Sequence, residues 1–200
     1  MHVQNLDAPF RDAIVDTLVS AFDDYPIMNY FVGDSGEDYA RYLRLLNEYF
    51  TDARLLRNWP VHGIVEGSTV LAVSIVSEPL DGDPPPLPEL VSRVRKTVGE
   101  GIWHRLKDFD RRSDETMPDG PHHFIGMLGT HPTHQGKGFG TALVNHVKQQ
   151  SVSEGSLGVT LSTETESNVG YYESLGFVVS GSMIIGGITS WGMVWRNPEQ

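Results

Sequence analysis

Cysteine is absent from the 200 residues. That excludes disulfide scaffolds, thiolate-ligated zinc and thiol nucleophiles, and it removes any reason to invoke an oxidising compartment. Cations are scarce: 15 Lys and Arg stand against 26 Asp and Glu, a formal charge of −11. Non-specific nucleic-acid binding needs a basic footprint, so no nucleic-acid partner is expected. An anionic membrane surface is a poor match too. The balance tilts toward cationic or neutral small substrates, although acidity also serves solubility alone. No uninterrupted apolar run approaches the length of a membrane span. Residues 1–7 show neither the basic start nor the apolar stretch of a secretory signal, so a cytoplasmic protein is expected.

What is present is a globular composition. Hydrophobic residues make up 39% and charged residues 20%, with four Trp, seven Tyr and eight Phe, enough for a core without staples. At roughly 100–200 residues per domain, one domain over 1–200 is expected. Its N-terminal part, 1–121, reads as helices, a hairpin and a helical insert; its core is 122–196.

Apolar periodicity predicts helices over 9–22 (Phe10, Ile14, Leu18) and 37–54 (Tyr39, Tyr42, Leu43, Leu46, Tyr49, Phe50), with a break at Asp23-Asp24-Tyr25-Pro26. The period then falls to two. Residues 61–65 and 69–76 read as a hairpin turning at Glu66-Gly67-Ser68. The proline cluster at 81–88 reads as a surface loop. A helix follows over 89–110, divided by Gly99 and Gly101, then a polar loop over 111–121. Beyond it lie a strand (123–128), a glycine-rich turn (133–138), a helix (139–150), a strand (158–162) and a short helix (168–175). Two last strands, 178–185 and 188–194, turn at Gly186-Gly187.

The chemistry is concentrated in Leu128-Gly129-Thr130-His131-Pro132-Thr133-His134-Gln135-Gly136-Lys137-Gly138-Phe139-Gly140-Thr141. A strand ends, glycines alternate, and a helix opens. Glycines let the backbone approach an anion, and the unpaired N–H groups of a first helical turn donate to it. A Walker loop fails because Gly138, not Ser or Thr, follows Lys137. A Rossmann turn fails at Thr141 and lacks a following acidic strand end. A plain left-handed turn before a helix would need fewer glycines. The eight histidines lack a third ligand at zinc-site spacing, so no metal is expected.

Gln135-x-x-Gly138-x-Gly140, between strand and helix, resembles the Q/R-x-x-G-x-G/A signature of the GNAT superfamily of acyl-CoA N-acyltransferases. Asn168-Val169-Gly170-Tyr171-Tyr172-Glu173-Ser174-Leu175-Gly176-Phe177 looks like that family's N-x-x-x-Y-E-x-x-G-F segment. Ala21-Phe22 and Pro26-Ile27-Met28-Asn29-Tyr30 are loosely similar to the puromycin N-acetyltransferase-like branch. The resemblance implies a mixed α/β fold, with helices on both faces of a mixed central sheet and splayed strands holding coenzyme A. It implies acetyl-CoA as co-substrate. Gln135, Gly136, Lys137, Gly138, Phe139, Gly140 and Thr141 would hold the pyrophosphate, and Leu128, Gly129 and Thr130 the pantetheine arm. That arm would lie opposite Ser162-Thr163-Glu164, which splays away. Lys137 either meets phosphate charge or is a solvated loop lysine.

In the same reading Asn168 holds the cofactor arm. Tyr172, on the same helix face, gives a proton to the leaving thiolate. Taken without the motif, Tyr172 is a core aromatic. The general base is open. Where some family members carry a Glu on the strand before the loop, this chain has Phe124. His122, a residue type suited to proton transfer near neutral pH, and Glu164 are the candidates; a low-pKa amine or a water chain would need neither. Tyr25, Tyr30, Glu48 and Trp103 are expected in the acceptor wall. The expected activity is acetyl transfer from acetyl-CoA to an amine of a small molecule or peptide. The alternatives are a non-catalytic acyl-CoA-binding regulatory domain, another acyl donor, or an O-acceptor. A homodimer is compatible with this reading.

Overall fold

The period-two segments build one sheet, and the period-3.6 segments cover both its faces. In this computed structural model, which describes residues 2–80 and 82–200, seven strands run in the order β1-β2-β3-β4-β5-β7-β6. They are β1 (Gln4–Asn5), β2 (Val61–Glu66), β3 (Thr69–Ser77), β4 (His123–Thr130), β5 (Gly158–Thr163), β6 (Val178–Ile185) and β7 (Ile188–Arg196). Neighbours are antiparallel except β4 and β5. That pair is joined by a helix, α5 below, and a helical crossover is what parallel neighbours require.

Helices α1 (Arg11–Ala21), α2 (Pro26–Val32), α3 (Tyr39–Leu56) and α4 (Pro88–Asp114) pack on one face. Their stripes are those expected: Ile14, Leu18, Leu43 and Leu46 are fully enclosed against Val73, Ile75 and Met127. Each such side chain contributes about 1.5–3 kcal/mol by leaving water. Helices α5 (Phe139–Glu154) and α6 (Glu166–Ser174) cover the other face. There Val144 and Val147 meet Ile125, Val159, Leu161, Phe177 and Met193. Covered on both sides, β3 is apolar nearly throughout from Val70 to Val76, the pattern of an inner strand.

The structure departs from the sequence reading in three places. The expected break at 23–26 opens a helix: Pro26 sits in the first turn of α2, where its missing N–H costs nothing, and Gly33 at φ 68° closes it. Helix α4 runs four residues past 110 into the expected loop, with Arg111 bridging Asp108 and Glu115 across the added turn. Gly99 alone kinks it, at φ 81°; Gly101 is helical. The two-residue β1 has too little pattern to be read. Within 81–88, Asp81 lies outside the described residues; Arg57 ties the rest to α3 by donating to the Pro85 carbonyl at 2.8 and 3.0 Å. No described helix is long and apolar enough to cross a membrane.

One irregularity positions the site. Ile75 pairs with Met127 and Val76 with Ile125, so Gly126 bulges out of the ladder. The strand changes sides there. Ile125 packs on the α5 side, Met127 on the α1 side.

Candidate active site

Strands β4 and β5 pair only from His123–Val159 to Ile125–Leu161. Beyond that they part. β4 continues against β3 to Thr130, and β5 continues against β7 to Thr163. The wedge between them is bounded by two strand edges whose N–H and C=O groups have no ladder partner on that side. Such edges accept an amide-bearing chain as an added short strand. Leu128, Gly129 and Thr130 lie on one edge, and Ser162, Thr163 and Glu164 flank the other; all line one cleft of about 1250 Å³. Gly129 is needed for packing: a Cβ there would stand 3.0 Å from Ala21 Cβ and 3.1 Å from Leu18 Cδ2 on α1.

The wedge opens toward the start of α5. Gly136 and Gly138 have φ of 73° and 76°, left-handed conformations that side chains disfavour. Gly138 caps the helix, its carbonyl accepting from Ala142 N–H at 3.0 Å. The N–H groups of Gly138, Phe139, Gly140 and Thr141 donate to no backbone carbonyl, as the first helical turn dictates. Gly140 is helical, but a Cβ there would lie 3.1 Å from the Tyr171 hydroxyl. That hydroxyl shares a 3.3 Å hydrogen bond with Thr141 Oγ1, tying the start of α5 to α6. Gln135 spans the turn by donating to the Thr130 carbonyl at 3.4 Å. Lys137 is exposed and donates to His134 Nδ1 at 3.0 Å, so its side chain is not part of the cleft wall. Gly138→Val sets a β-branched residue at φ 76° beside the free amides. It is expected to weaken CoA binding at least tenfold, about 1.4 kcal/mol, measured by calorimetry; unchanged affinity would remove the loop from the binding site.

At the mouth of the wedge Tyr25, Glu164, Asn168 and Tyr172 line the cleft together. Helix α6 carries Asn168 and Tyr172 one turn apart, both on the cleft. Its C-terminal carbonyl at Leu175 accepts from Lys148 Nζ at 2.6 Å, and that ammonium also sits 4.8 Å over the Trp195 ring. This cation at a helix C-terminus holds α6 against the sheet. Asn168 makes no side-chain hydrogen bond among the described residues, which leaves its amide free for a ligand. Burial pushes the Tyr172 phenol up, as do the charges of Tyr25, Tyr171 and Glu164, so it stays protonated. Glu164, 8% exposed, follows β5 directly. Ser190 Oγ donates to its Oε1 at 2.7 Å, and its own N–H donates to the Tyr25 hydroxyl at 3.2 Å. Burial pushes its carboxyl up to about 7, while hydrogen bonds from Ser190 and Tyr25 pull the other way.

Residues 99–177 match the model of the acetyltransferase (GNAT) family. No curated protein matches the sequence. Among solved structures, the histone acetyltransferase HPA2 and related acetyltransferase from Corynebacterium glutamicum is 19% identical, with 96% of this chain and 93% of that one covered at a TM-score of 0.68. Arylalkylamine N-acetyltransferase 2 from Aedes aegypti is 11% identical, with 98% of each chain covered at 0.71. The Salmonella typhimurium protein yncA, solved with its cofactor acetyl-CoA, is 18% identical, with 100% and 95% covered at 0.58. The family match covers 79 of the 200 residues, and the fold along the whole chain is that of these acetyltransferase structures.

Strands β4 and β5 with the starts of α5 and α6 line one end of the cleft; the N-terminal helices and α4 wall the other. Tyr25 is there, as expected, with Tyr49, Phe50 and Arg54 from α3 and Lys107, Phe109, Asp110 and Asp114 from α4. Three expected wall residues are elsewhere. Trp103 belongs to the core, edge-on to Tyr49. Glu48 faces Arg11 and Arg44 on the outer side of α3. Tyr30 packs over Gly186 in the β6–β7 turn. His122 lines the cleft with its Nε2 buried and unpartnered, and its Nδ1 donates to the Gly120 carbonyl at 2.9 Å. It precedes the paired stretch of β4, whereas Glu164 follows the point where the strands part. Arg54, Asp114 and Ser190 are the residues that sequence reasoning did not single out. A basic residue in the last turn of a helix reads as ordinary helix-end chemistry, and Ser190 carries no motif.

Proposed function

We propose that this chain transfers an acetyl group from acetyl-CoA to an amine of a small molecule or peptide. The observation that carries the reading is the parting of β4 and β5 in line with the free amides of α5, with Tyr172 and Glu164 at the junction. The residues fit the co-substrate: left-handed glycines clear the backbone for a pyrophosphate, and two unpaired strand edges suit the amides of a pantetheine arm. When bound, acetyl-CoA supplies an activated acetyl group and a thiol leaving group.

The chain's own groups then divide the proton work. Glu164 takes the proton of the acceptor ammonium or amine at its carboxylate, and a base ionising near neutral pH suits that role. Ser190 and Tyr25 fix its orientation. Tyr172 gives a proton from its Oη to the departing sulfur. Tyr172 is buried, so a thiolate beside it would meet desolvation like that of the phenolate, and the two affinities for the proton would be drawn together. Phe22, Tyr25 and Phe31 add aromatic surface to the same cleft. Thiol release from acetyl-CoA with a panel of amines, including polyamines, aminonucleosides, amino acids and peptides, tests the reading. Release with at least one class is expected. CoA binding without release for any amine would make the chain a binding module.

A further inference from the structure

One charged side chain in the cleft has no part in that proton traffic. Arg54 reaches from the last turn of α3 over the β3–β4 pair, and its Nη2 donates to Ser77 Oγ at 3.1 Å. Its Nε is buried without a partner. Among the described residues no carboxylate lies within ion-pair distance of it. Asp52 and Glu48 serve Arg11, Arg44 and Arg93, and Asp110 is held by Lys107 at 2.8 Å. Glu78, Asp83 and Asp114 line the same end of the cleft without bridging to it. Burial pulls the guanidinium down to about 10, and the charge of Arg57 adds to this. It is nevertheless cationic at neutral pH.

A guanidinium presents five N–H donors in a planar fork. Here the protein engages one. A buried donor left without a partner destabilises the fold, the more so when charged. The sheet makes room for this expense: a Cβ at Gly126 would stand 2.5 Å from Nη2 and 3.5 Å from the Phe124 ring. So the bulge residue is also the one whose missing side chain admits the guanidinium. The phosphate-binding end lies elsewhere. Four residue steps along β4 take Gly126 to Thr130, roughly 13 Å at the strand rise, and the loop begins beyond that.

We propose that Arg54 anchors a carboxylate on the acceptor, which makes the acceptor an amino-acid-like molecule carrying both an amine and a carboxylate. The inference rests on the acetyltransferase reading of the cleft. Two parallel N–H donors match a carboxylate in a two-pronged pair. A carboxylate is preferred over a phosphate because one cationic fork is left to pair there: Lys107 is held by Asp110, and Arg57 Nε, Nη1 and Nη2 donate to the Pro85 and Ala53 carbonyls. The amine of the same molecule faces Glu164, and the spacing between the two groups selects chain length.

The test uses free amino acids of increasing chain length, each beside its carboxamide. In the wild type, kcat/KM for the best acid is expected to exceed that for its amide at least tenfold. In Arg54→Met the ratio collapses toward one. Arg54→Lys, which keeps the charge and loses the fork, falls between. A wild-type ratio near one, or a ratio unchanged in Arg54→Met, overturns the proposal. Calorimetric binding of the N-acetylated acid against the N-acetylated amide to the same proteins reads the anchor without turnover. The same preference and its loss in Arg54→Met are expected there. Failure of thiol release with every amine would therefore overturn the acetyltransferase reading separately. Arg54→Met is expected to unfold no earlier than wild type, because it removes a charge without a partner. Arg54→Gln serves if the methionine variant does not fold.

Discussion

Glu164→Gln is expected to lower kcat at least a hundredfold above pH 7 while making the protein more stable there. Glutamine keeps the shape and still accepts from Ser190, so the wedge should stay intact, but it cannot take a proton. General-base catalysis is typically worth about 10²–10⁴-fold. The stability half follows from linkage. The folded-state pKa of Glu164 is raised from 4.5 to about 7, so between those values the folded protein holds a proton that the unfolded chain has released. Stability therefore falls as pH rises through that window and levels off above 7. The cost of ionising the buried carboxyl is on the order of 3 kcal/mol, which the glutamine variant does not incur. Denaturant unfolding at pH 5 and pH 8 for both proteins checks this. The variant should gain at pH 8 and differ little at pH 5. In the wild type, kcat should rise with pH to a plateau above about 7, a limb absent from the variant's residual rate. A variant that keeps full turnover would pass the base to His122 or to water.

Tyr172→Phe is expected to leave acetyl-CoA affinity near normal and to lower kcat roughly a hundredfold. The ring is enclosed among Tyr171, Phe177 and the β5 face, and phenylalanine fills the same space. Only the hydroxyl is lost. The measurement is kcat beside cofactor Kd on one preparation. Weaker binding or a lower melting temperature with unchanged kcat would instead make Tyr172 a packing residue. Tyr171→Phe is the control. It loses the hydrogen bond to Thr141 and should act mainly on cofactor affinity.

What could be read before any coordinates was the chemistry carried by local backbone. Asn168 to Phe177 was legible only by its resemblance to a family motif, whereas Gln135 to Gly140 was legible because a glycine-rich helix start able to meet an anion is a short-range demand. The β2–β3 and β6–β7 hairpins were legible for the same reason, their turns being spelled by Gly67 and by Gly186-Gly187. Glu164 was visible only as an acid at a strand end; that it is enclosed and bonded to Ser190 depends on β7, 26 residues further on. Helix α2 was missed because Pro26 opens helices as readily as it ends them. The Gly126 bulge was missed because it is a mismatch between two strands, and neither strand records it alone. Arg54 escaped notice because its setting is made by Ser77 and Gly126, both distant in the chain.

The change of sides at Gly126 has a practical consequence for redesign. Past the bulge, Met127 and Gly129 belong to the layer of α1 and α3, while Ile125 and Leu128 belong to the layer of α5 and α6. The residues at the α3–α4 end of the cleft are thus drawn from a different set of helices than those at the α5–α6 end. Under the proposed acetyl transfer, a mutant library confined to the cleft-facing positions of α3 and α4 is expected to change which molecule is modified while leaving cofactor affinity near that of the parent, as calorimetry with CoA would read.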